Sequence, residues 1–405
     1  MVRGRDRRRS QAARNASELL ENRALLTHVG AIDVLFALGT AQSVIDAHVA
    51  NEAQAGASGF AEFNADDRWG STAMNTGGGL GQGDPTTLTW SIADDGTNIP
   101  GFNGEADAPS NLIAFLAGIY GSNSPGDDDL TNEPWFDEIQ RSLDRWSAVS
   151  GLNYVYEPND DGADFSSSSN AAPGVTGVRG DVRIGGHNID GNFGVLAYNF
   201  FPDNGEMVID TGDSFYGNTS NDSIRLRNVI AHEAGHGFGL SHVISNNSQF
   251  LMEPSLNSNF DGPQLDDILG AQRNYGDAFE FESGNETTGT ATGLGSIADG
   301  ATVTIGADAG DTIVAATDTG FVSIDDNSDT DVYSFSVVAN ASVSVSVDPV
   351  GPTYSQGRQG GSESSFDAGS QSDLTVEILS GTGTVLATAN ANGLGGTETI
   401  SSFNL

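Results

Sequence analysis

The chain has 405 residues, 37% of them hydrophobic, with 53 glycines, no cysteine and a formal net charge of −39. This length predicts two or three compact units, and the glycine content points to loops and β-turns rather than a helical bundle. Every basic residue is an arginine, and from residue 24 onward nine of them face 52 acidic residues, a net charge of −43 that argues against binding to phosphate backbones or anionic membranes. Without cysteine there is neither a disulfide nor a thiolate zinc site, and without an apolar run of 18 residues no transmembrane helix is expected.

The chain begins with a basic head, MVRGRDRRRSQAAR, followed by the amphipathic segment RNASELLENRALL. VGAIDVLFALGTA (29–41) is then a short apolar stretch interrupted by Asp33. Together they read as a weak export signal or a disordered arginine arm, so residues 1–57 are expected to be a targeting or pro-like segment of a secreted protein.

Residues 58–278 carry the next unit. PTTLTWSIA (85–93) alternates as a β-strand does, and PSNLIAFLAGIYG (109–121) predicts a short helix with Ser110 as N-cap and Gly121 at its end. In FDEIQRSLDRWSAVSG (136–151), Phe136, Ile139, Leu143, Trp146 and Val149 recur at three or four residues and build one buried stripe. Strands are predicted at LNYVYE, DVRIGG (181–186), VLAYNFF (195–201) and EMVID (206–210). Helices follow at 224–239 and 265–276. The order is that of an α+β unit, a twisted mixed sheet with three main helices. Residues 279–293 read as an acidic, Gly/Thr-rich linker. In 294–405, VYSFSV, ASVSVSV and LTVEIL alternate with period two, which predicts a small all-β sandwich.

The chemistry concentrates in HEAGHGFGLSH (232–242). On a helix, His232 and His236 project from one face and can grip one ion. Glu233 lies roughly a hundred degrees round, close to that ion without having to ligate it. Gly239 can adopt a positive φ, end the helix and turn the chain so that His242 returns as third ligand. Three neutral imidazoles suit Zn²⁺ and leave a fourth position for water. Such a site lowers the water's pKa towards ~7, and the neighbouring carboxylate takes its proton as it attacks a carbonyl.

HExxHxxGxxH resembles the zinc signature of the metzincin peptidases, and LMEPSL (251–256) puts Met252 where that family has its methionine turn. EIQRSLDRWSAVSGLNYVYE, GVLAYNFFP and LDDILGAQRNY are similar to bacterial matrixins. The resemblance implies a zinc endopeptidase in which His232, His236 and His242 bind one catalytic zinc and Glu233 is the general base. It also implies protein or peptide substrates, which add as a strand along Gly194–Asn199. A structural zinc is a poorer match: His187 and Asp190 are present, but Tyr198 and Val208 stand at the later histidine positions. Asp210 and Asp213 keep the spacing of the family's structural Ca²⁺ ligands, or are ordinary loop acids. A cysteine-based latency device is impossible here, so any inhibition by the first 55 residues takes another route.

IDDNSDTDVYSFSV (324–337) and SDLTVEILSGTGTVLATAN (372–390) resemble the pre-peptidase C-terminal (PPC) β-domain, in which Asp325, Asp326, Asp329 and Asp331 form either a calcium seat or a solvated turn. That family's usual final strand is not recognisable before the chain stops at SSFNL. The competing reading of the whole chain is a catalytically inactive surface-binding or adhesion protein that uses the peptidase fold and the β-domain for binding. Oligomeric state is not legible in the sequence.

Overall fold

The computed structural model describes residues 2–4, 32–45, 62–123, 129–166, 172–281, 284–338 and 340–405. The amphipathic segment predicted between the basic head and residue 29, together with His28 and His48, lies outside the described residues.

Strands β1 (Val2–Gly4), β2 (Ile32–Phe36) and β3 (Thr86–Ile92) are followed by the short pair β4 (Asn98–Ile99) and β5 (Ala108–Pro109). Helices α1 (Leu112–Tyr120) and α2 (Phe136–Ser147) precede β6 (Leu152–Tyr156), β7 (Val182–His187), β8 (Val195–Phe200) and β9 (Met207–Asp210). Then come α3 (Ser220–Phe238), β10 (Val243–Ile244) and α4 (Leu265–Tyr275). The cap of α1 is Asn111 rather than the expected Ser110, whose hydroxyl instead reaches the Gly186 N–H at 3.3 Å. Residues Asn221–Ser223 have positive φ, so the regular part of α3 begins where its apolar period begins, at Ile224.

A six-stranded mixed sheet in the order β2-β8-β9-β7-β3-β6 forms the frame. Strands β6, β3, β7 and β9 run parallel, β8 is antiparallel to β9, and β2 is antiparallel to β8. The parallel core strand β7 is buried along its whole length, as expected when both faces are covered. The stripe on α2 is observed: Phe136, Ile139, Leu143 and Trp146 are buried. Trp146 meets Phe238 of α3 edge to face at 4.7 Å, and its Nε1–H donates to the Ala231 carbonyl at 2.9 Å. This contact sets the height of the histidine-bearing turn above the sheet.

Beyond α4 the described residues form strands β11 (Thr292–Ser296), β12 (Val332–Ser336), β13 (Ser342–Val347), β14 (Thr353–Arg358) and β15 (Ser364–Asp367). They continue with β16 (Val376–Leu379), β17 (Val385–Ala389) and β18 (Glu398–Asn404). The last of these pairs with β13, so SSFNL ends in a strand after all. The period-two stretches lie in strands as expected, but their pairing crosses the predicted boundaries. β1 lies between β12 and β16, and β10 pairs with β14. The stretch read as a linker is also packed: Glu280 and Asn285 are buried. Local alternation sets a strand's faces but not its partner, which is why these long-range pairings were not legible.

Replacing Trp146 by Ala removes both the aromatic contact and the hydrogen bond to α3; a loss of about 3–5 kcal/mol is expected in denaturant unfolding.

Candidate metal centre and cleft

Helix α3 delivers His232, Glu233 and His236, all fully buried. It stops at Gly239, whose φ of 111° lies in the left-handed region, and an added Cβ there would sit 1.9 Å from the Asp67 carbonyl oxygen. Only glycine fits this turn, and it brings His242 back over the helix. The three Nε2 atoms converge: His232–His236 3.0 Å, His232–His242 3.2 Å and His236–His242 3.2 Å.

The opposite ring nitrogens show which way the rings are protonated. His232 Nδ1 lies 2.6 Å from the Leu251 carbonyl and His236 Nδ1 2.7 Å from the Leu240 carbonyl, while His242 Nδ1 meets Gln359 Oε1. All three partners are acceptors, so each Nδ1 carries the proton and each Nε2 turns a bare lone pair to the common centre. Burial, then the neighbouring His236, lowers the His232 pKa well below its ordinary value. Burial, then His242, brings His236 down to about 4. Ligands ~2.0–2.1 Å from a tetrahedral zinc are about 3.3 Å apart, close to the observed triangle. The donor set therefore fits a zinc ion.

Glu233 has no hydrogen-bond partner at either carboxylate oxygen. Burial, then the charge of Asp33, pushes its pKa well above the usual carboxylate range. Met252 packs directly beneath the helix: a Cβ on Gly235 would fall 2.4 Å from its Sδ. The turn at Met252 is held by Asp267, which accepts the Leu251 and Met252 N–H groups at 2.7 and 3.1 Å. This fixes the Leu251 carbonyl that orients His232.

The edge of β8 expected to take substrate is occupied by the chain itself. β2 pairs along it from Ile32↔Phe200 to Phe36↔Val195. Across the cleft the Phe36 N–H donates to the Pro254 carbonyl at 3.0 Å, and the Leu256 N–H donates to the Phe36 carbonyl at 3.1 Å. The apolar stretch read as a weak signal core thus contains the strand at the end of the six-stranded sheet. Its interrupting charge, Asp33, accepts the His242 N–H at 3.3 Å and lies 3.8 and 3.9 Å from Nδ1 of His236 and His242.

Asp210 ends β9, and Asp213 lies in the loop that follows it. Asp210 accepts N–H groups of Ile189, Gly191 and Gly212, and Asp213 accepts those of Phe193 and Phe215. Their oxygens thereby shape the loop around 188–194. His187 faces Glu105 at 3.4 Å. Tyr198 and Val208 are paired across β8 and β9 and packed in an apolar cluster.

Residues 122–276 match the matrixin family. They form a matrixin domain. The sea-urchin (Paracentrotus lividus) hatching enzyme is 33% identical over 164 residues, 40% of this chain and 25% of that protein. The metalloendoproteinase 2-MMP of Arabidopsis thaliana is 31% identical over 147 residues, 34% of this chain and 36% of that protein. Karilysin of Tannerella forsythia is 30% identical over 180 residues, 43% and 34% respectively. The chain thus spans about a quarter to a third of the length of these relatives. His232, His236 and His242 of this domain are placed so that they could hold one metal ion. No helix among the described residues is long and apolar enough to cross a membrane.

Three positions around the matrixin triad carried no usable signal in the sequence: Asp33, Asp267 and Gln359. Gln359 lies 117 residues from the histidine it orients. Gln359→Ala is expected to weaken metal binding by about 10- to 100-fold, measured by competition with a chromogenic chelator, with little change in far-UV circular dichroism.

Proposed function

We propose that the chain is an exported zinc metalloendopeptidase that hydrolyses peptide bonds in proteins and is held latent by its own N-terminal segment. The observation that carries this reading is the convergence of three bare imidazole lone pairs beside a buried, unpartnered Glu233. When bound, zinc supplies Lewis-acid polarisation of a peptide carbonyl and acidifies water at the site. The chain's residues do the rest. The β8 edge takes the substrate backbone as an added strand, which sets the scissile bond across the histidines. Glu233 accepts the proton of the attacking water and passes it to the leaving amine. The rigid frame of Met252, Asp267 and Gln359 keeps the rings aimed while this happens.

Latency follows from β2. A substrate needs the backbone groups of Val195–Asn199 that β2 already uses, and Asp33 brings a negative charge to the site. Export and a PPC-like role for residues 294–405 belong to the same reading; the period-two strands support the second. An inactive binding protein is the alternative, and it has no use for an intact Glu233.

With casein as substrate, Glu233→Ala is expected to lower the rate by about 10²–10⁴-fold, and chelation to abolish wild-type cleavage until zinc is restored. Equal rates for wild type and Glu233→Ala over long incubation favour the binding-protein alternative. Asp33→Ala combined with Leu35→Pro, which removes a ladder hydrogen bond from β2, is expected to shorten the lag before peptide cleavage begins. An unchanged lag and rate rule out latency through β2.

A further inference from the structure

Away from the histidine triad, one other group of ligating side chains clusters among the described residues: Glu280, Asp325 and Asp329, whose carboxylate oxygens lie within 4.8 Å of one another. Asp277 and Asp331 flank them, and all five are less than a tenth exposed. They come from two parts of the chain. Asp277 and Glu280 follow the end of α4, and the other three lie in the loop leading into β12.

The cluster is short of positive charge. Arg273 acts on Asp325, but its guanidinium is turned to that residue's backbone carbonyl. Burial, then the charges of Asp329, Asp277, Asp325 and Asp331, pushes Glu280 up to about 10. Asp277 spends its oxygens on the N–H groups of Phe279 and Ser323, at 2.7 and 3.1 Å. Two buried acceptors are left with nothing to accept. Asp329, 8% exposed, uses Oδ2 on the Asp325 N–H at 2.9 Å, and its Oδ1 has no partner. Asn285, fully buried, donates Nδ2–H to Asp331 at 2.6 Å, and its Oδ1 has no partner either. The three clustered side chains offer only oxygen acceptors, and hard carboxylate donors in this number suit Ca²⁺ better than the smaller, water-retaining Mg²⁺.

We propose that Glu280, Asp325 and Asp329 bind a calcium ion that clamps the loop before β12 onto the end of α4. The ion joins the matrixin domain to the strands that follow it. Neighbouring contacts already follow that seam: Gln82 Nε2 donates to the Asp325 carbonyl at 3.2 Å, and the Asp325 carboxylate packs where a side chain on Gly83 would stand. The proposal does not depend on peptidase activity.

The test uses the full chain carrying Glu233→Ala, which prevents self-digestion, with thermal unfolding and isothermal calorimetry in calcium and in a calcium chelator. Calcium is expected to raise Tm. Adding Glu280→Gln and Asp329→Asn is expected to abolish that rise and to weaken calcium binding by at least about tenfold. In chelator these variants should melt above the parent, because the amides spare the chain the cost of burying these carboxyls, which must otherwise take up protons on folding or stay as like charges side by side. The exposed Asp299→Asn should retain the full response, and Asp329→Asn alone, titrated with terbium, serves if the double change does not fold. A parent whose Tm is indifferent to calcium overturns the proposal. So does a calcium response that survives the double change, which would place the ion elsewhere, for instance at Asp210 and Asp213.

Discussion

Three nitrogen lone pairs pointed at one another across 3.0–3.2 Å repel, and a protein does not place them so without a framework that leaves the rings no alternative. Much of the matrixin domain is that framework. Each imidazole is gripped from behind, by the Leu240 carbonyl, the Leu251 carbonyl or Gln359, and each grip depends on another part of the fold. The Leu240 carbonyl is available because the chain reverses at Gly239. Leu251 is fixed because Asp267 at the start of α4 pins the turn. Gln359 is present because β14 docks against β10, with Tyr354 donating to Asp266 at 2.7 Å beneath it.

A buried carboxylate without a hydrogen bond carries a desolvation cost that folding alone gives no reason to accept. Glu233 is such a group, and it follows His232 directly on α3. Well-packed proteins tolerate this kind of local conflict mainly where chemistry requires it. The surrounding rigidity, from Trp146 on one side and Met252 on the other, is what keeps α3 from relaxing to satisfy that carboxylate.

The triad, its turn and the main helices were largely legible because they rest on local rules. Two histidines at i and i+4 share a helix face, glycine allows a left-handed turn, and apolar periodicity marks α2 and α3. What stayed hidden depends on distant partners. Asp33 read as a flaw in an apolar stretch because nothing nearby shows that the stretch pairs with β8. Glu280 read as linker because its partners lie some fifty residues on. Gln359 sits in a polar hairpin with no periodic signal. In each case the residue type was visible, but its neighbours were set by chain topology.

The pairing of β2 with β8 also bears on solubility. β8 is buried along its length, and without β2 it becomes a free edge of apolar residues with unpaired N–H and C=O groups, a ready template for another chain. Release of the segment would therefore expose an adhesive rim as well as a cleft. The charge of −43 carried from residue 24 onward gives like copies a standing repulsion against edge-to-edge association, so the acidic surface and the covering strand guard the same weak point.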